Sequence, residues 1–365
     1  MKRLLLTLTI ASAAAIAASA HESFAYEYPE SYDHWQEAFL AGNGKTGIMV
    51  FGNPRSETVV LTSRWFNFPG RAPRSFAKVT RDTVEKISAL CAAGEFKAAN
   101  DLAVSSSQWH DGARWTLSTL VRVCDILGIG QGEGGERERC AAMYASLPDY
   151  RINSDGAIAE WGWEGLEDQY AHRHSSHLMM VWPFRETSPR RLPEVYAAAG
   201  RVLDMRDRHD YENAGHGYLH AALIAAGLHN RESFADKMHN LTARDFYFNN
   251  LATAHYPDHR VFCTDVCHAV PALMMEMLVG SDDDGICLLP ALPEELPRGS
   301  VSGLQTRCGA EIENLTWNRD AGSVEVTLKP RVSREILLSV GDSEPRTVAL
   351  QENRSITVRF PYPGL

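Results

Sequence analysis

Three short segments hold the residue types needed for proton transfer and sugar contact. In Asp155-Gly156-Ala157-Ile158-Ala159-Glu160-Trp161-Gly162-Trp163, a carboxylate stands between apolar and aromatic residues. Such a setting disfavours the charged form and makes a carboxyl a proton donor. Trp161 and Trp163 add flat apolar faces of the kind that stack on sugar rings. The ordinary structural reading is that Glu160 caps or pairs while the tryptophans fill the core. In His172-Arg173-His174-Ser175-Ser176-His177-Leu178, three imidazoles surround one guanidinium. His172, His174 and His177 admit a metal site, since imidazole is a zinc ligand. The same run admits a loop binding anions or hydroxyls, with Arg173 supplying a fixed fork of donors. No HExxH pattern accompanies it. In Phe262-Cys263-Thr264-Asp265-Val266-Cys267-His268, Asp265 precedes an apolar helical run. An acid there is ordinarily an N-cap.

Other chemistries are excluded by composition or by missing signatures. The 365 residues carry 36 Lys plus Arg against 46 Asp plus Glu, a net charge of −10. A nucleic-acid partner is therefore not expected, because phosphate neutralisation needs a basic face. Hydrophobic residues at 44% and charged residues at 22% are globular values, not those of a disordered or fibrous chain. No GxSxG elbow and no P-loop occur. Gly128-Ile129-Gly130-Gln131-Gly132 follows a helical pattern rather than a strand, which argues against a dinucleotide fingerprint. The seven cysteines are too sparse for a disulfide scaffold. They read as small buried residues with one incidental disulfide among them.

The elements that must position these segments follow a β, α, β order. Residues 1–20 read as a signal peptide, with Lys2 and Arg3, an apolar run to Ala17, and the small-x-small site Ala18-Ser19-Ala20. The run is shorter than the ~20 residues of a membrane span. The expected address is therefore secreted or periplasmic, with no membrane span left after cleavage. Residues 21–75 contain glycine-punctuated loops and the β-rich Val59-Val60-Leu61. Residues 76–290 read as helical. Leu117, Leu120, Val121 and Cys124 fall at i, i+3, i+4, i+7, and Leu219, Ala222, Leu223 and Ala226 make a second apolar stripe. A further helix is expected over Phe96 to Leu102. Pro193 suits a first helical position, and Met274, Met275 and Met277 suit a buried helix as core filler. Residues 291–365 hold short β-branched runs separated by turns such as Asn318-Arg319-Asp320 and Gly341-Asp342. They read as an antiparallel β-domain.

In this order the segments resemble glycoside hydrolase family 95, the inverting α-L-fucosidases. Trp35-Gln36-Glu37-Ala38 with Gly42 through Gly52 resembles the family's opening sandwich signature. Tyr150-Arg151-Ile152, Asp155-Gly156 and Glu160-Trp161 resemble the segment bearing its general acid. His172 to Leu178 resembles its histidine-arginine motif, and Phe262 to Asp265 its later acidic motif. Leu288 to Pro293 and Gly299 to Leu304 resemble the link into its C-terminal domain.

The resemblance implies a partial N-terminal β-sandwich, an incomplete (α/α)6-barrel-type helical domain and a C-terminal antiparallel β-domain. It implies Glu160 as general acid and Asp265 as the acid that polarises the base-side machinery. Trp161, Arg173 and His174 would contact the sugar of an oligosaccharide or glycan. No metal or organic cofactor is implied. One departure is local: Val266-Cys267 replaces the Gly-Asn expected after the acid. A larger one is that family members are longer. Their amide-rich stretch with paired asparagines, the base-side relay to water, has no counterpart here. The resemblance fades near Ser107-Gln108-Trp109 and resumes near Thr116, as in an internally shortened member. An incomplete barrel would expose helix faces and favour self-association. The competing expectations are a truncated homologue that at most binds carbohydrate, and a metal-dependent hydrolase built on the three histidines.

Overall fold

A computed structural model describes residues 6–7, 25–26, 38–42, 46–53, 55–63, 81–95, 97–98, 113–162, 165–209, 214–248 and 251–362. Most of the expected leader, Trp35-Gln36-Glu37, Asn43-Gly44-Lys45, most of the helix expected over 96–102, the segment around Trp109, and Trp163 lie outside the described residues. The chain divides into two compact units. One joins residues 1–72 with 245–267, and the other joins 73–244 with 268–365.

The first unit contains a three-stranded antiparallel sheet of Phe39–Gly42, Thr46–Val50 and Val59–Ser63. Consecutive Val59, Val60 and Leu61 are all exposed. A strand alternates its side chains between faces, so neither face of this strand is covered among the described residues. A hairpin of Ala254–Tyr256 and Arg260–Phe262 completes the unit, packed beside buried Phe248, Ala252 and Ala254. Leu6–Thr7 pairs with Ala25–Tyr26 in a separate two-residue ladder.

Helices dominate the first part of the second unit. They are α1 (Arg81–Ala92), α2 (Ala113–Leu127), α3 (Glu136–Ala145), α4 (Pro193–Asp207), α5 (Gly215–Gly227), α6 (Arg231–Ala243) and α7 (Thr264–Leu278), whose residues 264–267 belong to the first unit. Pro193 occupies the first turn of α4, where its missing N–H costs nothing. Asn230 caps α6 by accepting from the Ser233 N–H at 2.9 Å. Buried Lys237 on α6 pairs with Asp207 at the end of α4 at 2.9 Å. In α5, eleven of thirteen residues are buried, all but His216 and His220. A helix apolar all round belongs in a core. The core here joins Ala157, Ile158, Leu178, Met180 and Val181 to Ala198, Ala199 and Val202 of α4 and Ile224 of α5. It therefore includes Ala157 and Ile158 of the first segment singled out above and Leu178 of the second.

Two sheets follow. One has the order 298–301, 310–318, 323–330, 356–361, with 304–305 also paired to 310–318. Val324, Val326 and Leu328 alternate inward. On the neighbouring strand the register slips between Ile312 and Asn314. That bulge shifts the inward phase from Ile312 to Leu315 and Trp317, all buried. Gly299 lies under Trp317, where an added Cβ would sit 2.3 Å from the indole ring. The other sheet has the order 346–350, 334–340, 285–288, 279–281.

Several expectations are corrected. The β-domain is not wholly antiparallel: 285–288 pairs parallel with 337–340, because a strand preceding residue 291 enters the sheet. Every cysteine is free, so no disulfide forms. Met277 is buried, but Met274 and Met275 are exposed, so only part of the run fills the core. Leu117 and Cys124 of α2 are buried while Leu120 is exposed, so only part of that stripe finds cover.

Candidate functional site

The site is built from two loops that brace each other. Arg151 to Ala159 runs as a narrow turn, closed by the Ile152–Ile158 bridge. Asn153 caps its inside, accepting from the Asp155 and Ala157 N–H groups at 2.9 and 3.1 Å. Ala157 and Ile158 are buried and anchor the turn in the core. Glu160 follows, half-buried. Its backbone N–H donates to Asp168 Oδ1 at 2.6 Å, and its own Oε2 accepts from the Gln169 N–H at 2.9 Å. Each loop thus presents a carboxylate to the other's backbone. Such charge-assisted bonds are among the stronger ones in proteins.

The network extends beyond this pair. Asn153 Nδ2 donates to Asp168 Oδ2 at 2.5 Å and to the Tyr170 hydroxyl oxygen at 2.8 Å. The Tyr170 hydroxyl donates to Asp155 Oδ2 at 3.0 Å. Burial pushes the Tyr170 phenol upward, with the Asp155 bond adding to the shift, so it stays a donor. Trp161 is 43% exposed. Its carbonyl accepts from Arg151 Nε at 3.2 Å.

Arg206 fixes the histidine-arginine turn. This residue, 1% exposed, reaches from the end of α4 and donates from Nη1 to the His172 carbonyl and from Nη2 to the His174 carbonyl. The His174 N–H donates to His172 Nδ1 at 3.2 Å. Arg173 lies over α5, where a Cβ on Gly217 would come within 3.1 Å of Arg173 Cβ. Gly217 therefore allows the close approach. The His172 and His174 rings stack at 5.1 Å, and His174 meets His216 edge-on at 5.5 Å. His216 and His220 follow at 4.3 Å. The two residues of α5 that escape full burial thus continue the line begun by the turn. His177 turns away into the interior. Burial, then the nearby Arg206 charge, hold its ring down to about 4. Among the described residues, no group of three or more His, Cys, Asp or Glu side chains is placed to hold a metal ion.

Asp265 belongs to the other unit and is exposed in the first turn of α7. It is not the N-cap, because the helix begins one residue earlier. Buried Thr253 serves that end instead: its Oγ1 accepts from the Cys267 N–H at 3.1 Å and donates to the Cys263 carbonyl. Glu160, Trp161, Arg173 and His174 thus share one unit, and Asp265 lies in the other. Sequence reading did not single out Asp168, Tyr170, Arg206, His216 or His220. Of these, only the His216/His220 pair had a local signal, the i, i+4 spacing that places two side chains on one helix face.

Matches to protein-family models agree with this layout. Residues 97–278, which contain all five candidate residues, match the glycosyl hydrolase family 95 catalytic domain. Residues 280–359 match the glycoside hydrolase family 95 C-terminal domain. Residues 25–121 match the glycosyl hydrolase family 65 N-terminal domain. The chain belongs to glycoside hydrolase family 95. It is similar to Alpha-L-fucosidase 2 of Arabidopsis thaliana, with 33% identity over 187 residues. That stretch covers 48% of this chain and 21% of the relative. No described helix is long and apolar enough to cross a membrane.

Proposed function

We propose that this chain is an exported, internally shortened glycosidase of the inverting α-L-fucosidase type, releasing terminal α-L-fucosyl or α-L-galactosyl residues from oligosaccharides. One observation carries the reading. Within the family's catalytic stretch, the Glu160 carboxyl is braced by the Gln169 N–H, three residues ahead of the histidine-arginine turn clamped by Arg206. A carboxyl fixed beside a rigid cationic turn can hold a proton at one place while neighbouring donors orient a hydroxylated ring. Oε2 takes the Gln169 bond, so Oε1 is the oxygen assigned to the leaving group. In the step itself, Glu160 gives its proton to the glycosidic oxygen as the bond to the anomeric carbon breaks. A water attacks that carbon from the opposite face and gives up its proton on the base side. Asp265 is assigned to that side, and Trp161, Arg173 and His174 to the sugar. The partial sandwich, incomplete barrel and export signal are parts of the same proposal, as is self-association through exposed faces of α2 and α3.

A second reading has its own support. The asparagine relay of the family has no counterpart in the sequence, and Asp265 alone cannot orient water through it. That favours a homologue that binds carbohydrate without cleaving it. The test is release of L-fucose from a 2′-fucosylated oligosaccharide by the purified protein and its Glu160→Gln variant. Turnover by the first and none by the second is expected. Binding without turnover, by both proteins and on fucosyl and L-galactosyl substrates alike, would establish the second reading.

A further inference from the structure

Helix α5 makes a second close approach at its far end. A Cβ added to Gly227 would lie 3.1 Å from Arg185 Nη1, as one on Gly217 would lie 3.1 Å from Arg173 Cβ. The two glycines are about 15 Å apart along the helix axis. Arg185 borders a cavity of about 360 Å³, lined wholly by residues of the second unit. None of Glu160, Trp161, Arg173, His174 or Asp265 lines it. The Arg185 side chain is only 12% exposed. Its Nη2 and the Trp182 indole N–H both donate to Glu276. Its buried Nε has no hydrogen-bond partner among the described residues. Arg185 and His229, both on the wall, hold left-handed backbone at φ 55 and 56. Strain of that kind gathers at ligand sites.

The wall offers donors and acceptors in near balance. Ser188, Ser281 and Ser343 line it. Their hydroxyl oxygens accept from the Arg191, Arg307 and Val340 N–H groups, each at 3.0 Å, so each keeps its own proton to donate. Asp282, Asp342 and Glu344 supply acceptors. The charges largely cancel: Glu276 pairs with Arg185, and Asp342 lies 3.1 Å from His229 Nδ1. Arg190 on the same wall stands against Asp282 and Glu344. A small anion would therefore meet carboxylates, and a small cation would meet guanidinium groups. A neutral molecule with many hydroxyls, each both donor and acceptor, matches this lining. Ile286, Leu337 and Pro345 add apolar surface for the C–H face of a ring. A second cavity of about 680 Å³ shares His229, Gly341, Asp342 and Ser343 with the first, which leaves room for more than one ring.

We propose that this double cavity is a carbohydrate-binding site. One sugar ring occupies the smaller cavity, and the next crosses His229 and Asp342 into the larger. The site anchors a glycan apart from the residues assigned to cleavage. That use rests on the glycosidase reading; the binding itself does not.

The test is amide hydrogen exchange, read by peptide mass spectrometry on the full-length Glu160→Gln protein. The probe is the 2′-fucosylated oligosaccharide at about 20 mM, enough to fill a millimolar site. Peptides spanning 227–231 and 339–345 are expected to slow several-fold. Ser343→Tyr fills the wall common to both cavities and should abolish that slowing, while any slowing at 172–178 persists. Should Ser343→Tyr fail to fold, Asp342→Ala decides alone, because that side chain is 82% exposed. In a sugar titration it should weaken the site at least about five-fold. Slowing confined to 155–178, slowing matched by sodium phosphate, slowing indifferent to the substitutions, or none at all overturns the proposal. The readout is binding at the cavity, so a folded protein that releases no L-fucose fails the glycosidase reading and leaves this one standing.

Discussion

The hairpin of α2 and α3 and the hairpin of α5 and α6 are made of the same parts, two consecutive helices of moderate length joined by a short connection. Their surroundings differ. α5 is buried at every residue but His216 and His220, and α6 is capped by Asn230 and tied down through Lys237. α3 has no buried residue, and α2 leaves Leu120, Val123, Ile126 and Leu127 exposed. The α2–α3 connection is held by polar contacts at the surface, including Arg137 Nε to Asp125 Oδ1 at 2.5 Å, and exposed pairs contribute little. Hydrophobic periodicity therefore reports that a helix has a face to cover. Whether the face is covered depends on what else packs there.

The sharpest way to break this contrast is to cut into the buried hairpin. Leu223→Ala in α5 should cost about 3–4 kcal/mol, measured as a shift in the denaturation midpoint. A loss under about 1 kcal/mol would place α5 in a loosely packed interior and dissolve the distinction. Arg206→Gln comes next, at about 2–3 kcal/mol, because the His172 and His174 carbonyls lose a charged donor that is itself buried. The same variant should speed amide exchange across 172–174 while leaving α2 unchanged. Acid titration follows. The unfolded value of a histidine is near 6.5 and His177 is held to about 4 when folded. A proton thus binds the unfolded chain more readily. The His177 contribution is complete above pH 6.5 and is lost as pH falls toward 4. About 1–2 kcal/mol of acid destabilisation should therefore vanish in His177→Asn. The smallest effect is expected at Ile126→Ser in α2, within about 0.5 kcal/mol by denaturation. There the informative measurement is light scattering against concentration. A fall in association would mark this face as sticky, and unchanged scattering would remove it from any self-association.

Much of this architecture was legible from local pattern. The helices over 193–207, 215–227 and 231–243 and the strands over 310–361 follow from periodicity, Pro193 and turn residues, all of which act within a few positions. What escaped depends on distance in sequence. The strand at 285–288 was hidden because its parallel partner begins near 337. Arg206 lies 34 residues from the first carbonyl it clamps, and nothing about an arginine in a helix announces that use. An acid ahead of apolar residues, as at Asp265, has the local pattern of a cap, whereas the Cys267 N–H is met by Thr253, fourteen positions away. In sequence, Glu160 and the histidine-arginine turn are separate motifs. Their reciprocal bracing through Asp168 and Gln169 emerged only with the backbone path.

The Arg206 clamp has a consequence for motion. The turn at 172–174 has no regular secondary structure and would ordinarily fray on its own. Here its opening would pull a guanidinium that is 1% exposed off the His172 and His174 carbonyls, which costs free energy in a buried setting. Local opening is thus nearly as costly as opening the core beneath it, and the two should occur as one cooperative unit. In native-state exchange this irregular loop would keep time with the slowest helices, and a ligand would meet a surface already set before it arrives.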